Sequence, residues 1–160
     1  MTNLPHYAET WLHHPTFDDY WQHGSVCCDY DAIKCPVLLV GGWADPYRSA
    51  MLRLLDNLSC FRRAIIGPWS HGWPDDVRPG PQIGLLAESV RWWRQWLANQ
   101  DQDIDSDPTI RYWVRKNPLA KTTQKEDNGY WAALNDQAQI APLILTVYEG
   151  SLSPSRSATG

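Results

Sequence analysis

CPVLLVGGWADPY, residues 35–47, is the stretch on which the fold turns. Cys35 to Val40 is a short unbroken apolar run that stops at Gly41-Gly42. A strand with one wet face alternates polar and apolar residues, whereas a continuous apolar run suits a parallel sheet covered on both sides. From Tyr47 to Leu58 the pattern becomes helical, with Met51, Leu55 and Leu58 on one face and Arg48 and Arg53 off it. A second short run, Arg63-Ala64-Ile65-Ile66, ends at Gly67-Pro68. A loop rich in Pro and Gly, Trp69 to Gly84, then leads to a patterned helix from Leu85 to Ala98. In it Leu86, Val90, Trp93 and Leu97 form one apolar stripe, widened by Trp92 and Trp96, while Glu88, Arg91 and Gln95 face away. Strand–helix–strand–helix predicts a βαβα unit, hence an α/β fold with a parallel sheet and right-handed crossovers.

On either side of this unit the texture changes. Residues 1–33 are rich in aromatics, His and Asp, broken by Pro5 and Pro15, and predict short helices near Tyr7–His13 and Phe17–Trp21, the second capped by Thr16 or Asp18. The polar run NQDQDIDSD, from Asn99 to Asp107, reads as an interdomain linker closed by Pro108. Beyond it, Ile110 to Val114 and Leu143 to Tyr148 are strand-like, with a polar stretch from Lys116 to Gly129 between them and a Ser-rich tail after Gly150. The organisation expected is residues 1–33, a core over 34–100, a linker over 101–108, and a β-rich segment over 109–160.

Composition narrows the function classes. The 160 residues carry a net charge of −4, with 43% hydrophobic and 20% charged residues, as in ordinary globular chains. Without a basic stripe to neutralise phosphates, nucleic acid is not an expected partner. No apolar run reaches the ~18 residues of a membrane span, so no membrane partner is expected. The first residues show neither a basic nor an apolar leader region, which points to the cytoplasm. Four cysteines (Cys27, Cys28, Cys35, Cys60) are too few and too irregular for a disulfide scaffold. The ten tryptophans are the anomaly, since rings this large must pack in broad cores or line apolar pockets.

The residues that can carry chemistry lie where parallel sheets place their ligands, at the carboxyl ends of strands. Two loops occupy such places: Gly41-Gly42-Trp43-Ala44-Asp45-Pro46-Tyr47 and Gly67-Pro68-Trp69-Ser70-His71-Gly72. Consecutive strands are commonly neighbours, so these loops bring Asp45 and His71 together. A carboxylate beside an imidazole fixes its tautomer and stabilises the imidazolium formed in general-base catalysis. Each residue has a plainer explanation: Asp45 precedes a helix and suits capping, and a lone loop His is more often structural or solvated. Ser70 adjoins the base and is read as structural, because adjacent side chains do not readily make the in-line hydrogen bond a nucleophile needs. His13, His14, His23, Cys27 and Cys28 suggest zinc, but their spacing matches no usual zinc pattern. Asp75 and Asp76 lie just after His71 and read as a solvated loop or a substrate contact.

The loops GGWADPY and IIGPWSH, in this order, resemble the acid and base loops of the cocaine esterase and Xaa-Pro dipeptidyl-peptidase-like family of α/β-hydrolases. The likeness extends outward through DDYWQHGSVCCDYDAIKCPVLLVGGW, PGPQIG, ESVRWWRQWL, DPTIRYWV and LILTVYEGSLS. It implies the end of a helical cap over 1–33, the last part of a hydrolase core with its acid and base loops over 34–100, and the start of a jelly-roll-like domain over 109–160. It also implies a serine hydrolase working through an acyl-enzyme, with no metal or organic cofactor. Asp45 would be the acid and His71 the general base, acting on small-molecule esters or amides or on Xaa-Pro peptides. The G-x-S-x-G elbow of such enzymes is absent from these 160 residues; Pro68-Trp69-Ser70-His71-Gly72 has Pro in the first Gly position. The nucleophile is therefore expected upstream, and the partners considered are a missing N-terminal segment or other copies in an oligomer. The alternative is an inactive hydrolase remnant that binds a ligand or partner.

Overall fold

The computed structural model describes residues 7–116, 127–135, 145–148 and 151–154. Helix α1 spans Tyr7–His13 and α2 Asp19–His23, the latter capped by Asp18, whose side chain accepts from the Tyr20 N–H. β1 (Val37–Gly42), α3 (Arg48–Asn57), β2 (Arg62–Gly67) and α4 (Leu85–Ala98) follow in the order the pattern predicts. β3 (Ile110–Arg115) and β4 (Gly129–Leu134) complete a four-stranded sheet of order β1-β2-β3-β4, while β5 (Leu145–Tyr148) and β6 (Ser151–Pro154) pair antiparallel in a sheet of their own.

β1 and β2 run parallel, in register from Val37↔Arg62 to Gly42↔Gly67. Alternation along them divides the core between two helices. Val37 and Leu39 with Ala64 and Ile66 turn to α3, where they meet Met51, Leu52 and Leu55. On the α4 side, Ile65 and Trp92 are buried, and Phe61 stacks obliquely on Trp92 and Trp96. Each fully buried Leu or Ile contributes about 1.5–3 kcal/mol by leaving water. This is an α/β arrangement.

Three expectations need correction. β3 does not begin a separate sheet: it pairs parallel with β2 through Ala64↔Ile110, and β4 returns antiparallel to it, so the sheet crosses the expected boundary at 108/109. Ile110 is apolar enough to extend the β1–β2 core and is buried there. Residues 101–108 are not a free linker either. Ile104 is buried, Arg91 binds Asp107 at 2.6 Å and the Gln102 carbonyl at 3.1 Å, and Gln95 accepts the Gln102 N–H at 2.6 Å. The third correction concerns α4. Leu86, Trp93 and Leu97 are 69%, 54% and 75% exposed, while Leu85 and Trp92 are buried. The helix is apolar on two sides, and polar pairing sets its rotation. Glu88 binds Arg111 of β3 at 2.5 Å, and turning the other stripe inward would pull it and Arg91 away from their partners.

Asp75 fixes where α4 begins. Its carboxylate accepts the N–H groups of Ile83 (3.0 Å), Gly84 (2.8 Å) and Leu85 (2.7 Å), donors that a helix start leaves without partners. Gly84 has φ +66°, a left-handed conformation that favours glycine. Asp75 is therefore a structural cap rather than a substrate contact. Asp75→Ala is expected to cost ~1–2 kcal/mol, seen as a lower midpoint in thermal or urea unfolding. An unchanged midpoint would mean that water serves these donors equally well.

Among the described residues no helix is long and apolar enough to cross a membrane. Nor do any three or more His, Cys, Asp or Glu side chains among them gather as metal ligands. His14 instead binds Asp18 at 2.7 Å and stacks on Tyr20 with ring centroids 4.4 Å apart.

Candidate active site

Both loops singled out in the sequence leave the carboxyl ends of adjacent parallel strands, β1 and β2, and backbone hydrogen bonds join them. The Trp43 N–H donates to the Gly67 carbonyl at 2.9 Å and the Ala44 N–H to the Trp69 carbonyl at 3.1 Å. The approach is so close that a Cβ on Gly42 would run into the Trp69 backbone carbonyl, which is why this position takes glycine. Trp69 is buried beneath the base loop and anchored by its indole N–H, which donates to the Pro81 carbonyl at 2.7 Å. Trp43 is held likewise by the Trp113 carbonyl at 2.7 Å, so β3 steadies the acid loop from the next strand but one.

This framework brings Asp45 and His71 together, with Asp45 Oδ2 3.0 Å from His71 Nδ1. The other oxygen, Oδ1, accepts the Tyr47 N–H at 2.7 Å in a tight Asx turn. One Asp45 oxygen thus shapes the turn before α3, rather than capping the helix, and the other faces the imidazole. α3 itself begins without a side-chain cap. The Tyr47 N–H and then the His71 side chain hold the Asp45 carboxyl below the usual carboxylate range. With Nδ1–H donating to Asp45, Nε2 keeps its lone pair. The His71 side chain is 67% exposed and that of Asp45 17%, so the imidazole stands open to a reactant while the carboxylate it meets is shielded.

Beside the pair lies a cleft of ≈ 390 Å³ lined by Gly42, Trp69, His71, Trp73 and Leu85 among others. Tyr47 sets its ring edge against His71, with centroids 5.4 Å apart. Tyr47 and Trp73 were not picked out from the sequence. An Asp two residues before an N–H is the pattern of an Asx turn and marks the Tyr47 backbone, but nothing local indicates where either ring points. Among the described residues no serine hydroxyl is hydrogen-bonded to His71, Ser70 included. The chemistry available here is proton transfer by an oriented imidazole.

Comparison with known proteins finds relatives among hydrolases. The family model for the X-Pro dipeptidyl-peptidase (S15 family) matches residues 1–73, a stretch containing both Asp45 and His71. The chain is 27% identical over 88 residues to the cocaine esterase of Rhodococcus sp. (strain MB1 Bresler), covering 52% of this chain and 15% of that protein. Two crystal structures of a CocE/NonD family hydrolase from Staphylococcus aureus superpose with a TM-score of 0.61 at 14% identity, covering 86% of this chain. They share its fold, and the chain spans 23% and 22% of their lengths. The resemblance seen in the two loops is thus matched, over residues 1–73, by the model of a family of hydrolases.

Proposed function

We propose, from a chain whose residues 1–73 match the X-Pro dipeptidyl-peptidase (S15 family) model, that it supplies the acid and base of a serine hydrolase. Asp45 orients His71, and His71 Nε2 takes the proton of a serine hydroxyl as that oxygen attacks an ester, amide or Xaa-Pro peptide carbonyl. The imidazolium then returns the proton to the leaving group, and water resolves the acyl-enzyme by the same route. The observation that carries this reading is the 3.0 Å contact between Asp45 Oδ2 and His71 Nδ1, on the nitrogen that leaves Nε2 available. The serine and the oxyanion donors lie outside these 160 residues on this reading. Residues 1–33 are then the end of a cap.

Fluorophosphonate labelling tests the division of labour. The purified 160-residue chain is expected to take up no adduct, read by intact mass. A longer polypeptide with a serine elbow is expected to be labelled stoichiometrically and to lose the label in a His71→Ala variant. A stoichiometric adduct on a serine of this chain would overturn the assignment. A second reading, an inactive remnant that binds a partner, is favoured by the exposed row Leu86, Val90, Trp93 and Leu97. It predicts that joining the serine-bearing segment restores no turnover.

A further inference from the structure

We infer that Cys35 and Cys60 are an oxidant-responsive thiol pair, able to lock β1 to β2 with a disulfide at the end of the sheet opposite the acid and base loops. The register carries the argument. β1 and β2 pair from Val37↔Arg62 onward, and the Val37 N–H still donates to the Phe61 carbonyl at 2.9 Å just before the ladder begins. Counting back two residues on each chain sets Cys35 opposite Cys60. Neighbouring strands lie about 4.8 Å apart, inside the ~4.4–6.8 Å window of Cα separations that a disulfide spans.

Both side chains also fall on one face. Val37 packs on the α3 side of the sheet, and the Arg62 guanidinium Nε donates to the Leu55 carbonyl of α3 at 2.8 Å. Cys35 and Cys60 stand at the bends that lead into the two strands, two positions before Val37 and Arg62, and the period of two directs them toward that same face. Both thiols are free, Cys35 exposed and Cys60 half-buried. The other two cysteines, Cys27 and Cys28, are exposed neighbours on one short 3-10 turn. Desolvation and the adjacent Cys27 push the Cys28 thiol up, which reduces its thiolate fraction as a competitor.

The co-reactant is a hydroperoxide. The Cys35 thiolate, the more exposed of the two, attacks one peroxide oxygen; the O–O bond breaks, and the departing oxygen leaves as hydroxide or alkoxide and takes up a proton. Cys35 is left as a sulfenic acid. The Cys60 thiolate then attacks the Cys35 sulfur, the S–S bond forms, and the hydroxyl leaves as water. Two electrons pass from the sulfurs to the peroxide. A thiol reductant reverses the bond.

The test is mild hydrogen peroxide treatment of the reduced 160-residue chain, followed by tryptic mapping without reductant. Cleavage at Lys34, Arg48, Arg53 and Arg62 puts Cys35 and Cys60 on separate peptides, 35–48 and 54–62, and leaves Cys27 and Cys28 on a third. The expected result is a loss of about 2 Da with those two peptides cross-linked, the bond being lost with dithiothreitol. Closing a loop of this length should raise the thermal midpoint by on the order of 5–10 °C. Cys35→Ser or Cys60→Ser should abolish both effects, and a variant with Cys27→Ser and Cys28→Ser should keep them. Cross-links only between Cys27 and Cys28, cross-links only between molecules, or Cys35 oxidised to sulfinic acid with Cys60 still free would each overturn the proposal. The map of the unsubstituted chain decides the matter even if a variant fails to fold.

Discussion

His71→Ala, in a polypeptide that joins these residues to the serine segment, is expected to lower kcat by a factor of roughly 10⁴–10⁶. On the proposed mechanism the imidazole would act twice per cycle, taking the serine proton and then protonating the leaving group, and the size of the effect follows from that. The remaining catalysis would come from the oxyanion donors and substrate binding, neither of which involves His71. Folding should survive, because the side chain is 67% exposed and its polar partner is the single carboxylate of Asp45. Steady-state kinetics on an activated ester, with circular dichroism of the variant as control, measures this. Wild-type turnover in a folded variant would sink the acid–base assignment.

Asp45→Asn is expected to cost on the order of 10⁴ in kcat with little change in KM. An amide at this position can present an N–H to His71, favouring the tautomer with its proton on Nε2, where the base needs a lone pair. The charge that would stabilise the imidazolium is also lost. The pH behaviour has a definite sign. The Tyr47 N–H and His71 depress the folded carboxyl's pKa, so the stabilisation they give is complete above its ordinary value of about 3.9 and is lost as pH falls through the folded value. Carbon-13 NMR of the Asp45 carboxyl should therefore show a midpoint below the ordinary one, and the acid limb of unfolding should ease in Asp45→Asn. A midpoint at or above the ordinary value would remove the hydrogen-bonded pair from the argument.

The sequence displayed much of this because the relevant signals are local. Val37 to Val40 and Ala64 to Ile66 are apolar on both faces, and such runs are stable only between covering layers, so a parallel sheet with helices was readable from composition along the chain. Each strand ends in a glycine-bearing loop with one carboxylate or imidazole, and parallel neighbours put those loops side by side. That is why Asp45 and His71 could be paired across 26 positions.

What failed was whatever depends on a competing partner. The stripe Leu86-Val90-Trp93-Leu97 and the row Leu85-Ser89-Trp92-Trp96 are both helical patterns on α4, and periodicity cannot rank them. The choice was made by Glu88 and Arg91, whose ion pairs to Arg111 and Asp107 reach residues more than fifteen positions away. The polar segment 101–108 looked like a linker for the same reason: its carbonyls and carboxylates have partners, but only across space. Sequence by itself thus determined the α/β layering and the pairing of Asp45 with His71, since strand burial and loop placement follow from short-range pattern. Tertiary structure alone decided which face of α4 is buried, that β3 and β4 extend the sheet, and that Asp75 caps a helix, because each rests on a hydrogen bond or ion pair between residues the chain keeps apart.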